Sequence, residues 1–144
     1  MPNANDAELT RLFSASVGTG PAVEDNEPNT KLVGPPAPDF WLYVEALAGN
    51  ALGASGATYT LYLTHVAESG GPALTDFALP QCFDGPTGPL WVFGGLADNY
   101  VSLQVFPIPI PEGVKGHVYH YEGRLVGRGN NVVSFGKSNS FILV

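Results

Sequence analysis

Residues 58–66 read TYTLYLTHV. The alternation sets Tyr59, Leu61 and Leu63 on one side and Thr58, Thr60, Tyr62 and Thr64 on the other, so a core-facing row runs opposite a row of hydroxyls. That is a β-strand. Upstream, residues 40–48 (FWLYVEALA) alternate too, with Phe40, Leu42, Val44 and Ala46 on one face and Trp41, Tyr43, Glu45 and Leu47 on the other. The pattern predicts a strand with both faces partly covered. A Gly-rich break at 49–56 joins the two.

Downstream, residues 68–89 carry Gly70-Gly71-Pro72, Asp84-Gly85-Pro86 and Gly88-Pro89, which predicts a long connection with one short strand near 77–79. Strands are expected to resume at 90–93 and at 100–106 (YVSLQVF), the latter with Val101, Leu103 and Val105 facing inward. Pro107, Pro109 and Pro111 cannot donate ladder hydrogen bonds, so PIPIPEG reads as an edge or a crossover. In residues 116–126 (GHVYHYEGRLV), His117, Tyr119, Tyr121 and Leu125 share one face, opposite Val118, His120, Glu122 and Arg124. Gly129-Asn130-Asn131 then supplies residues that tolerate positive φ, a hairpin into 132–135. A turn or bulge at 136–138 precedes a last strand at 139–144 (NSFILV). Short strands between turn signals predict an all-β antiparallel sandwich over residues 39–144.

Residues 1–38 differ in composition. Five acids, Asp6, Glu8, Glu24, Asp25 and Glu27, stand among many Asn, Gly and Pro with almost no β alternation, which reads as an extended N-terminal arm. Within it, residues 5–13 (NDAELTRLF) carry the marks of a short helix: Asn5 as cap, Glu8 three residues on as in a capping box, and Leu9, Leu12 and Phe13 on one face. So short a helix is not stable alone, where about 12–15 residues are already marginal, and its apolar face must dock. Its own domain and a neighbouring subunit fit equally. Pro35, Pro36 and Pro38 favour polyproline II in the connector that follows.

The chain has 144 residues, enough for one core, and 44% of them are hydrophobic. Only 13% are charged, against about 25% in an average soluble domain, and the net charge is −7. No basic stripe exists to displace phosphate counterions, which argues against nucleic acid as a partner. No segment has the basic start and apolar run of a signal peptide or the roughly 18 apolar residues of a membrane span, so a soluble chain is expected. Cys82 is the single cysteine, so an internal disulfide is excluded and assembly in a reducing cytoplasm is expected.

The Tyr-rich segment GHVYHYEGRLV, the turn and the final SNSFILV together resemble the last two strands of many bacterial and phage immunoglobulin-like domains. The likeness covers about the last third of the chain. It implies an immunoglobulin-like sandwich, although the cysteine pair of antibody-type domains is missing and Trp41 matches their core tryptophan only loosely. An extended arm on a disulfide-free β domain also resembles the decoration and minor virion proteins of tailed phages. That likeness implies a multi-copy structural protein of the virion, bound to a capsid or other virion protein.

No motif for catalysis stands out. His117 and His120 are three apart on a strand and fall on opposite faces, and His65 lies elsewhere, so no metal site is expected. Gly53-Ala54-Ser55-Gly56 lacks the spacing of a nucleophile elbow, Gly18-Thr19-Gly20 lacks a dinucleotide fingerprint, and Gly136-Lys137-Ser138 lacks the upstream glycine of a phosphate loop. The acids of the sandwich are scattered over strand ends and loops. No enzyme and no cofactor are expected. The leading expectation is a structural protein whose arm, through Leu9, Leu12 and Phe13, anchors on a larger protein assembly, either homo-oligomeric or in many copies. The alternative is a carbohydrate-binding module stacking a glycan on Trp41, Tyr43 and Trp91, against the usual preference of large rings for the core.

Overall fold

The computed structural model describes residues 6–16, 24–25, 27, 39–83, 91–93, 99–127 and 132–144. Asn5, the prolines at 35, 36 and 38, and the turn at 129–131 lie outside the described residues. Among the described residues, nine strands and one short helix follow in chain order: β1 (Ala7–Ala15), β2 (Asp39–Gly49), α1 (Asn50–Gly53), β3 (Thr58–Ala67), β4 (Phe77–Cys82), β5 (Val92–Phe93), β6 (Asn99–Pro109), β7 (Val118–Val126), β8 (Val132–Lys137) and β9 (Phe141–Ile142). They pair antiparallel in two sheets. Sheet A has the order β1-β2-β6-β5, and sheet B has β4-β3-β7-β8 with β9 also on β7. The all-β sandwich expected from the alternation is the observed architecture.

The inner rows fill the space between the sheets. Phe40, Leu42, Val44 and Ala46 of β2 face Leu61 and Leu63 of β3 and Tyr119, Tyr121 and Leu125 of β7, all buried in one cluster. Phe141 stacks on Tyr119 and Tyr121 and tilts against Phe40, with ring centroids 5.1–6.4 Å apart. The break expected at 136–138 falls at 138–140 instead, between β8, which keeps Gly136 and Lys137, and β9. There Ser138 replaces a ladder residue: its N–H donates to the Tyr121 carbonyl and its Oγ accepts the Tyr121 N–H, both at 2.8 Å.

The first strand is the main departure from the sequence reading. Residues 7–15 form no helix but an antiparallel edge strand on β2, with Leu12↔Val44 and Phe13↔Tyr43 in register. A β-bulge between Leu9 and Arg11 explains the misreading. Leu9 opposes Ala46 and Leu12 opposes Val44, so both point inward although three residues apart, because Thr10 is the extra residue. A bulged strand thereby imitates helical spacing. Leu12 and Phe13 are buried and Leu9 is half-buried in the chain's own fold, so this group is packing for the sandwich rather than an anchor on a detached arm. A boundary at 38/39 therefore does not separate the first strand from the domain.

β1 also closes one side of the sandwich. Its Leu9 N–H donates to Ser134 Oγ of β8 at 2.9 Å, and its Ser14 N–H donates to Asn139 Oδ1 at 3.0 Å. Asn139 Nδ2 returns a bond to Ser14 Oγ at 2.9 Å. Gly123 and Gly136 make room, since a Cβ on either would sit 3.0–3.3 Å from Leu9 or Leu12. Side chains of the opposite sheet thus satisfy backbone groups that an open edge would offer to another chain.

β6 is turned over relative to expectation. Tyr100, Ser102, Phe106 and Ile108 are buried, whereas Val101 and Leu103 are exposed. The inward polar residues are held by a network: Gln104 and Gln81 of β4 exchange two amide hydrogen bonds at 3.1 Å, Tyr59 donates its hydroxyl to Gln81 at 2.6 Å, and Trp91 Nε1 donates to Tyr59 at 3.1 Å. With partners supplied across the sheets, the polar row is the one that faces in. Nearby, Gly53 packs flat on Tyr100, where a Cβ would come within 2.2 Å of the ring. Gly53→Ala is expected to cost about 1–3 kcal/mol, because Tyr100 is buried and cannot swing away; urea denaturation reads it.

Candidate interaction surface

The outward rows of sheet A follow from its register. Glu8, Leu47, Val101 and Val92 form one cross-strand row, and Arg11, Glu45 and Leu103 the next. Phe13, Tyr43 and Val105 form the third, and Ala15, Trp41 and Pro107 the fourth. Only three of these positions are charged. At one end the face is covered: Phe13 stacks on Tyr43 at 5.0 Å, both are buried with Ala15, Trp41 and Val105 pack against them, and the Arg11 guanidinium lies 4.2 Å above the Phe13 ring. Asp25 is tied to the same strand, its N–H donating to the Ser14 carbonyl and its carboxylate accepting from Ser16 Oγ.

At the other end the face is open. Val92 is 65% exposed, Leu103 51% and Val101 39%, with Phe93 at 48% on the rim. Sheet B presents the opposite character. Its outward rows are Thr64, Glu122 and Lys137, then Tyr62, Arg124 and Phe135, with the Arg124 guanidinium 4.7 Å over the Tyr62 ring. One-sided solvation is ordinary in antiparallel sandwiches, but two sheets of one domain with such different outer faces are not solvated alike. Among the described residues no further layer lies over this face, and a contiguous apolar patch so placed is the usual mark of a partner surface.

The expected glycan platform does not assemble. Trp91 is buried between Tyr59 and Phe83, at 6.1 and 5.0 Å, in the core between the sheets. Tyr43 is buried on the other side of sheet A, and Trp41 is half-buried beside it. Trp91 and Tyr43 therefore turn to opposite sides of one sheet, because the indole N–H finds its partner in the Tyr59 hydroxyl.

The histidines meet carboxylates and a hydroxyl rather than each other. His120 Nδ1 lies 2.6 Å from Glu68 Oε1, His65 Nδ1 lies 2.6 Å from Asp76 Oδ1, and His117 Nδ1 lies 2.9 Å from Ser69 Oγ. A hydrogen bond from Ser140, with the imidazole of His120 next, holds the Glu68 carboxyl below its ordinary value. Burial pushes Asp76 up, but the backbone N–H and ring of His65 outweigh it and hold the carboxyl low. Burial raises Tyr119 and Tyr121, the latter far above its usual range. Ser140 donates its hydroxyl to Glu68, whereas Ser69 Oγ meets the His117 imidazole and accepts the Val118 N–H. Among the described residues, no three His, Cys, Asp or Glu side chains gather as a metal site. A shallow open depression of about 480 Å³ beside Cys82 is lined by Thr58, Thr60, Pro80 and Gln81. Among the described residues no helix is long and apolar enough to cross a membrane. No protein-family model and no curated protein matches this sequence.

Val92, Val101 and Leu103 are the residues that sequence reasoning placed wrongly or passed over. Their signal was present: β6 has apolar residues on both of its faces, a sign that both are covered by something.

Proposed function

We propose that this chain is a non-enzymatic interaction domain that attaches to a larger protein assembly through the open end of the outer face of sheet A. Attachment to a virion, as a decoration or cement-type protein present in many copies, is the form of that role we favour. The observation that carries the reading is the exposure of Val92, Val101 and Leu103 side by side on one face, while the outer face of sheet B sets its exposed Phe135 among Glu122, Arg124, Lys137 and the hydroxyls of Thr64 and Tyr62. The net charge of −7 selects the partner. It opposes pairing with anionic lipid, with nucleic acid or with a second copy, and it leaves a fixed apolar protein face of low negative charge as the fitting occupant. The strand order supports an immunoglobulin-like origin, since β1-β2-β6-β5 over β4-β3-β7-β8 corresponds to A-B-E-D over C′-C-F-G.

The test compares Leu103→Asp with Thr64→Asp, an exposed position on the outer face of sheet B. Binding of the purified chain to the assembly isolated from its native source should fall at least about a hundredfold for L103D, as at a central anchor, and stay unchanged for T64D. Equal losses, or none, defeat the reading. Light scattering of the free chain should give the 15.1 kDa monomer, and a stable dimer would make a second copy the occupant instead.

A further inference from the structure

The three histidines of the chain all grip the same connection, residues 68–76 between β3 and β4. His120 and Ser140 share Glu68 Oε1, at 2.6 and 2.8 Å, and His120 Nε2 lies 3.5 Å from Glu122 on its other side. His117 holds Ser69, whose Oγ also accepts the Val118 N–H at 3.0 Å. At the far end Asp76 Oδ1 meets both the ring and the backbone N–H of His65, at 2.6 and 2.8 Å. Between these ends, Tyr119 and Tyr121 donate their hydroxyls to the carbonyls of Pro72 and Thr75, each at 2.7 Å. Leu74 is the buried apolar plug beneath the connection.

We propose that residues 68–76 form an acid-released flap, which opens when Glu68 and Asp76 take up protons and so exposes Leu74 and the hydroxyls of Tyr119 and Tyr121. The two kinds of fastening respond differently to pH. The tyrosine hydroxyls stay protonated donors throughout, because burial raises both. The carboxylates are the acid-sensitive part. Glu68 faces His120, Ser140 and, at longer range, Lys137; Asp76 faces His65 and lies near Tyr121. Both carboxyls are held low in the folded chain, so the stability they add is complete above their ordinary values of about 4 and is lost as pH falls through the folded ones. Protonation of the two acids removes the negative charge that lies 2.6 Å from the His120 and His65 rings.

Amide hydrogen exchange on the full chain, corrected for the intrinsic pH dependence of exchange, tests this. Protection of the flap's amide fastenings, the His65 N–H on Asp76 Oδ1, the Val118 N–H on Ser69 Oγ and the Gly70 N–H on the Ala67 carbonyl, should fall about tenfold between about pH 6 and pH 3, two partly exposed pairs being lost, while Leu61 and Leu63 of β3 keep theirs. The Glu68→Gln, Asp76→Asn double variant should show the released level already at about pH 6 and no further change in acid. Unchanged protection of the wild-type flap in acid overturns the proposal, as does loss of flap and β3 protection together. The wild-type titration decides the matter by itself if the double variant does not fold.

Discussion

A chain that begins at Asp39 is expected to lose its cooperative fold. It would lack β1, and with it buried Ala7, Leu12, Phe13 and Ala15. Leu12 and Phe13 alone withdraw about 3–6 kcal/mol of burial, against about 5–15 kcal/mol for a whole domain. Removal also strips Tyr43 of its stacked ring and opens the β2 edge, while Asn139 and Ser134 lose their backbone partners. Circular dichroism and a urea titration of the truncated chain read the outcome. A truncated chain with full-length stability would return the first segment to the status of an arm.

Phe141→Ala is expected to cost about 3–5 kcal/mol, the range for emptying a packed aromatic site. β9 pairs β7 at only two positions, so the ladder itself does little to hold the C-terminal strand. The Phe141 ring does more: it is almost wholly buried and touches Phe40 of sheet A and Tyr119 and Tyr121 of sheet B. The cavity would therefore open at the junction of both sheets, and Phe141→Leu should recover much of the loss in the same urea titration.

The strands that were legible in the sequence are those with one wet face. TYTLYLTHV and GHVYHYEGRLV alternate cleanly because the outer face of sheet B is solvated, and their face assignments match the observed rows. Sheet A was read less well for a single physical reason. Its outer face is apolar, so alternation no longer distinguishes in from out, and YVSLQVF was placed with Val101, Leu103 and Val105 inward. Only the partner of Gln104 decides otherwise, and Gln81 stands 23 residues away in sequence. Leu9, Leu12 and Phe13 failed differently. Their spacing fits a helix face and a bulged strand equally, and the choice is made by β2, which offers Ala46, Val44 and Tyr43 in register.

The candidate surface was hidden by the same ambiguity that hid the orientation of β6. A row of Val and Leu reads as core until a neighbouring row is shown to fill the core instead. Trp91 shows the converse: as a large planar ring it read as a possible ligand platform, but a hydroxyl partner, Tyr59, draws it inside. In both cases the deciding information lies in a polar pair across the two sheets, which no local pattern contains.

Hydroxyl-radical footprinting of the chain, free and bound to its assembly, is the most direct test of attachment through sheet A. Val92, Val101 and Leu103 should lose reactivity on binding while Tyr62 and Phe135 of sheet B keep theirs. Protection of Tyr62 and Phe135, with Leu103 as reactive as in the free chain, would contradict it.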